Sequence, residues 1–218
     1  MQIAIGLFPE FTALDAIGPY QVFTYLPGAD VVVCAATTGV LADEHGLLRF
    51  DVTARFDDVP APDVLVVPGG QIAYRMVRDG DPTIEWIRAV HTYTTFTTSV
   101  CTGALLLGAA GLLDGLRATT HWAAYDALSA LGATPTEDRV VDEGRIITAA
   151  GVSAGIDLAL TLVARMAGPE TAQAIQLGIE YDPQPPFDAG APSKAPAEIQ
   201  QLVRGVLDDS RDRVLNRE

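Results

Sequence analysis

Residues 94–103 read TTFTTSVCTG, a β-branched and aromatic run that passes straight into a cysteine and then a glycine. The residues that follow, 103–110 (GALLLGAA), are rich in alanine and leucine and predict the start of a buried helix. The pattern is strand, sharp turn, helix, with Cys101 at the turn. It is the G-x-S-x-G elbow with cysteine in the nucleophile position and only the second glycine present. Such a turn projects its side chain at the carboxyl end of the strand, where open α/β sheets bind ligands. A helix N-terminus behind a thiol favours the thiolate, so the spacing predicts a lowered thiol pKa. Backbone N–H groups of the first helical turn, beginning with Thr102, have no intrahelical partner and can meet developing negative charge. A lone cysteine is otherwise a small buried hydrophobe. That structural reading is the one kept for Cys34, in the middle of 30–36 (DVVVCAA).

Working outward, the stretches 2–8 (QIAIGLF), 30–36 and 63–67 (DVLVV) are apolar throughout and do not alternate. Runs of this kind suit strands covered by helices on both faces, as in a parallel sheet. Between and after them the pattern predicts helices at 82–93, with Pro82 at the start, near 122–131, at 153–167 and at 169–179. Ser153 is a candidate N-cap, and Gly168-Pro169 a stop. Further strands are expected near 139–142 and 145–149, separated by a turn that ends at Gly144. The segment 182–196 holds five prolines and a glycine and reads as a loop or extended strap, with an amphipathic C-terminal helix after it. Alternating strands and helices predict a single doubly wound α/β domain over 1–218.

Composition narrows the function classes. With 49% hydrophobic and 19% charged residues the chain supports a sizeable core and is not a disordered sequence. A net charge of -14, from 14 Lys+Arg against 28 Asp+Glu, argues against nucleic acid or an anionic membrane as partner. No apolar run approaches the roughly 18 residues of a membrane span, and no basic leader precedes the first strand, so a cytoplasmic location is expected. Cys34 and Cys101 form neither a disulfide framework nor a metal set.

Three further groups have two readings each. Pro68-Gly69-Gly70 after the strand at 63–67 is either an ordinary turn or a place where backbone N–H groups approach a ligand. Asp15 stands three residues after Thr12, the spacing of a capping box at a short helical turn, with Pro19 restarting the helix. Its other reading is a carboxyl delivered to the same sheet edge as Cys101, where thiol and carboxyl would share a proton and titrate together. His121, in 117–122 (RATTHW), is either a base for the thiol or a histidine satisfied at the edge of the core. No acidic partner lies near it in sequence.

Together these residues resemble the DJ-1/PfpI superfamily, a class I glutamine amidotransferase-like fold, and more narrowly its isocyanide hydratase branch. The matching elements are Phe8-Pro9-Glu10, Leu14-Asp15 with Gly18-Pro19, Pro68-Gly69-Gly70, 98–103 (TSVCTG), 108–113 (GAAGLL), 117–122, 154–161 (AGIDLALT) and the strap 179–192 (IEYDPQPPFDAGAP). The resemblance implies a flavodoxin-like sandwich with a mostly parallel sheet, a homodimer, and no metal or organic cofactor. It implies Cys101 as nucleophile, Asp15 as acidic partner and Thr102 where protease-like and glyoxalase-like relatives often carry histidine. It places Gly69, Gly70, Gln71, His121, Trp122 and Val152 around a small isocyanide substrate. Residues 71–74 (QIAY) and Val152 depart from the branch pattern in ways that reshape a pocket. The implied reaction is hydration of the isocyanide to an N-substituted formamide through a thioimidate on Cys101. A thiol-based oxidative sensor or regulator, and a glyoxalase- or deglycase-like enzyme, are the competing readings. The regulators that share the CTG element need a helix-turn-helix region that the 22 residues after Pro196 do not supply.

Overall fold

The uniformly apolar runs pair with one another, because each can lose both faces to a helical layer. In the computed structural model, which describes residues 1–217, the first half holds β1 (Gln2–Leu7), α1 (Ala13–Phe23), β2 (Asp30–Ala35), β3 (Gly39–Ala42), β4 (Arg49–Val52), β5 (Ala54–Arg55), β6 (Val64–Val67), α2 (Ile72–Asp79), α3 (Pro82–His91) and β7 (Phe96–Val100). The second half holds α4 (Gly103–Ala109), β8 (Arg117–Ala118), α5 (Tyr125–Ala130), β9 (Thr134–Pro135), β10 (Val140–Glu143), β11 (Ile146–Ala149), α6 (Ala154–Ala167), α7 (Pro169–Gly178) and α8 (Ala197–Leu215).

Seven strands form the central sheet in the order β10-β11-β7-β6-β1-β2-β5. Every pairing is parallel except β10 with β11 at the edge. Helices α1, α6 and α7 pack on one another and cover one face, while α2 to α5 and α8 gather on the other. The fold is therefore the flavodoxin-like α/β sandwich. Strand order reverses beside β1, so the carboxyl ends of β1, β6 and β7 open on a topological switch point, the usual ligand crevice of such sheets. Asp15, Gly69 and Cys101 all follow those ends. Buried Val64, Leu65, Val66, Val67 and Val100 anchor the strands beneath them.

Several local expectations are corrected. The hairpin β3–β4 and helix α2 were not legible in the sequence. The hairpin exposes Gly39, Val40, Arg49 and Asp51, so it lacks the apolar run of a core strand. Helix α2 fully buries only Ala73 and Met76, spaced three apart, and ends at Gly80 with φ 66. Helix α1 is one continuous helix with Pro19 inside it, not a turn followed by a restart. Pro19 is held there by tertiary packing, since a Cβ on Gly155 of α6 would lie 3.2 Å from its ring. Ser153 precedes α6 but its side chain makes no cap; its Oγ instead accepts a hydrogen bond from Arg139. The strap is irregular, as its prolines predict. Among the described residues no helix is long and apolar enough to cross a membrane.

Candidate active site

Cys101 leaves β7 with φ 56, in the left-handed region that a side chain with a Cβ adopts only at a cost of about 1–3 kcal/mol. Both ends of its backbone are held. Its N–H donates to the carbonyls of Ala149 and Ala150, and its own carbonyl accepts from the Thr120 hydroxyl at 2.8 Å. Thr120 thus gives the RATTHW segment a definite task. Helix α4 starts at Gly103, where a Cβ would collide with the carbonyls of Val67 and Pro68.

Asp15 is fully buried in the first turn of α1, and its Oδ2 accepts the Gly69 N–H at 2.9 Å. The capping-box reading therefore fails. The Thr12 side chain makes no cap and its hydroxyl donates to Glu44 instead, at 3.1 Å. The Asp15 carboxyl and the Cys101 thiol are close enough for each to shift the other's titration, and Oδ1 is buried without a hydrogen-bond partner. Position 69 must be glycine, because a Cβ there would sit 2.6 Å from the Thr102 nitrogen and 2.9 Å from Asp15 Oδ2. The Thr102 hydroxyl closes the cluster by accepting the Gly70 N–H and facing the Gly70 carbonyl, each at 2.8 Å. Thr102 is a pin between the elbow and the Pro68-Gly69-Gly70 turn.

Burial governs the electrostatics. It pushes Asp15 up to about 7; the Gly69 N–H and the thiol pull the other way, and the charge of Glu44 adds to the rise. Burial also pushes the Cys101 thiol well up, reinforced by Asp15, against hydrogen bonds from the Thr102 and Val152 backbone N–H groups and the Thr102 side chain. The lowered pKa expected from a helix N-terminus is thus corrected: desolvation of the thiolate outweighs the donors of a seven-residue helix. Thiol and carboxyl titrate as one pair.

A cavity of about 360 Å³ is bounded by Leu14, the residue before Asp15, and by Val152, whose N–H faces the thiol; Asp15 and Cys101 are not themselves among its lining. Leu14, His121, Trp122, Gly151, Val152 and the strap residues Gly190 to Pro192 are among its lining. His121 Nδ1 accepts the Ala123 N–H at 3.3 Å, and burial followed by the charge of Arg204 lowers its pKa, so the ring is neutral. Among the described residues no carboxylate is bonded to it. Gln71 lies elsewhere: it lines a second cavity of about 250 Å³ with Glu10, Glu44 and residues of α8, and its Oε1 is buried without a partner. The structure therefore gathers Cys101, Asp15, Thr102, Gly69, Gly70 and Val152, sets His121 and Trp122 on the cavity wall, and leaves Gln71 to the side. Glu44 and Tyr74, whose phenol feels the charge of Cys101, were missed. Glu44 sits in the turn between β3 and β4, and Tyr74 lies in α2. Among the described residues no cluster of three or more His, Cys, Asp or Glu side chains is arranged to hold a metal.

A family model described as the DJ-1/PfpI family matches residues 1–165. The chain is 45% identical over 204 residues to an isonitrile hydratase of Pseudomonas putida, covering 94% of this chain and 89% of that protein. It is 38% identical over 112 residues to the HTH-type transcriptional regulator CdhR of Pseudomonas aeruginosa, 50% of this chain and 33% of that one. Among solved structures, a THiJ/PfpI family protein from Pseudomonas syringae aligns with a TM-score of 0.90 at 37% identity, covering 98% of this chain and 88% of that one.

Proposed function

The chain belongs to the DJ-1/PfpI family, and we propose that it is a lyase that hydrates a small isonitrile to its N-substituted formamide with Cys101 as nucleophile. The observation that carries this reading is the buried Asp15 carboxyl, held by the Gly69 N–H and electrostatically coupled to the Cys101 thiol. Similarity to the Pseudomonas putida isonitrile hydratase over nearly the whole chain supports it.

In the singly protonated pair the proton rests on sulfur, the weaker acid, and the reaction begins as the Asp15 carboxylate takes it, leaving the thiolate beside the Thr102 and Val152 N–H groups. Sulfur adds to the terminal isonitrile carbon, forming the S–C bond, and that carbon takes the Asp15 proton to give a thioimidate. Asp15, now a carboxylate, accepts a proton from water as the water oxygen adds to the same carbon, and passes it to nitrogen. The hydroxyl proton of that adduct returns to Asp15 as the C–S bond breaks. Formamide leaves, and the thiolate and the protonated carboxyl are regenerated. One residue serves as acid and then base, which suits a carboxyl with a pKa of about 7. No base besides Asp15 is required, so His121 and Trp122 shape the cavity and do not move protons. Gly69, Gly70 and Val152 supply the backbone around the reacting carbon, and Gln71, in the second cavity, takes no part.

The protein acts without a cofactor, in the cytoplasm, as a homodimer. An apolar recess of about 390 Å³ between α1 and the β3–β4 hairpin, lined by Ile17, Tyr20, Val33 and Phe50 among others, supports the second copy. The test is incubation with a panel of alkyl and aryl isonitriles: formamide should accumulate, and a Cys101 adduct one isonitrile heavier should appear by mass spectrometry. No product across the panel would sink the reading. Reversible oxidation of Cys101 at low peroxide without turnover would favour the sensor instead, although a buried thiol with a raised pKa is a poor peroxide target.

A further inference from the structure

The Val152 N–H that faces the Cys101 sulfur belongs to a short turn, 150–153, between β11 and α6. One residue grips that turn from both sides. The Arg139 carbonyl accepts the Ala150 N–H at 2.9 Å, ahead of Val152. Its guanidinium reaches past Val152 to the Ser153 Oγ at 3.2 Å and to Asp157 Oδ2, in the first turn of α6, at 2.7 Å. Tyr181, at the start of the strap, donates its hydroxyl to the same Asp157 oxygen at 3.0 Å. Ala150 also hands its carbonyl to the Cys101 N–H, so a shift of the turn moves the thiol as well. The Arg139–Asp157 pair is partly exposed, with side-chain exposures of 50% and 32%, and such pairs add little to global stability. Its geometry serves the turn.

We propose that Arg139, backed by Asp157 and Tyr181, is a positioning residue that aims the Val152 N–H at the Cys101 sulfur. The titratable groups facing the thiol are Asp15 from α1 and Tyr74 from α2, with Glu44 behind Asp15; on the turn's own side stand Arg139 and Asp157. The substitutions below leave Asp15, Tyr74 and Glu44 in place. Only the turnover readout rests on the hydratase reading.

The variants are Arg139→Ala, Arg139→Lys and Tyr181→Phe. Each is followed by the pH midpoint of Cys101 alkylation with iodoacetamide, mapped by peptide, and by kcat and KM for an isonitrile. Loss of the Val152 donor destabilises the thiolate, so Arg139→Ala should raise the alkylation midpoint. It should also lower kcat by about tenfold to a hundredfold, with KM held within about twofold. Arg139→Lys should restore most of both, and Tyr181→Phe, which removes one hydroxyl and keeps the fold, should show a smaller change in the same direction. An unmoved midpoint in Arg139→Ala overturns the proposal, as does an unmoved midpoint in Tyr181→Phe if Arg139→Ala does not fold. So does a rise in KM alone. If no isonitrile is turned over, the hydratase reading falls and the alkylation midpoints decide this one.

Discussion

Cys34 and Cys101 are both free, both buried, and both attached to parallel strands of one sheet, yet only Cys101 has the surroundings the proposed reaction needs. Cys34 lies within β2 with its thiol 3.8 Å from the Ile5 carbonyl, and burial alone pushes it up to about 12. Cys101 suffers the same desolvation, but it sits one residue past the end of its strand at φ 56. There it meets two backbone donors and a carboxyl that can take its proton. Burial therefore does not distinguish an inert cysteine from a reactive one. The presence of a proton partner and of fixed donors for the thiolate does.

The most direct way to break this contrast is to exchange the two. Cys101→Ala should cut kcat by at least about a thousandfold. Cys34→Ala should leave kcat within about twofold and cost about 1 kcal/mol of stability, the usual size of a small core truncation. Comparable losses of activity in both variants would mean that the strand end confers nothing special.

Removing the proton partner should come next in size. Asp15→Asn keeps an acceptor for the Gly69 N–H but cannot give up a proton, so kcat should fall by about 10²–10⁴. Stability should move the other way. Asp15 has an ordinary value of 3.8 and a folded value of about 7, so folding binds a proton between those limits. Its favourable contribution is present below pH 3.8 and is lost as pH rises through about 7. Asp15→Asn should therefore melt higher than wild type at pH 8, by roughly 4 kcal/mol at most, with the gain vanishing towards pH 4. The same titration sets the rate profile. Below about 7 the pair holds two protons and no thiolate, so kcat/KM should climb as pH rises through about 7. A profile flat from pH 5.5 to 8.5 would separate the carboxyl from the thiol and remove the distinction from Cys34.

The smallest effect sharpens the contrast. Thr102→Val removes the hydroxyl that pins Gly70 and leaves that N–H unpaired, at about 1–3 kcal/mol of stability. It should loosen the turn that holds Asp15 and lower kcat about tenfold. An unchanged kcat would show that Gly69 holds Asp15 unaided.

Much of this was legible residue by residue. The runs 2–8, 30–36 and 63–67 are apolar at nearly every position, a property only a doubly covered strand requires, and each became a strand of the parallel sheet. The hairpin and α2 were not legible because both are half exposed, so neither carries a strong period. At the site, the strand-to-helix turn around Cys101 is a local pattern and was readable. Asp15 was not, because a capping aspartate and a proton donor look alike until the carboxyl's neighbours are known. Thr102 was noticed for the histidine it replaces, whereas its hydroxyl pins a turn 32 residues away in the chain. Arg139, Asp157 and Tyr181 carried no local signal at all.

By itself, then, the sequence determined the alternation of buried strands and helices and the sharp turn that carries Cys101, since apolar period and turn chemistry are written in neighbouring residues. Tertiary structure alone decided that Asp15 meets that thiol, that Thr120 and Arg139 steady it, and that both acidic protons are held more tightly than usual. Proton affinity depends on desolvation and on distance to charge and donors, and those belong to the packing of remote segments, not to their spacing along the chain.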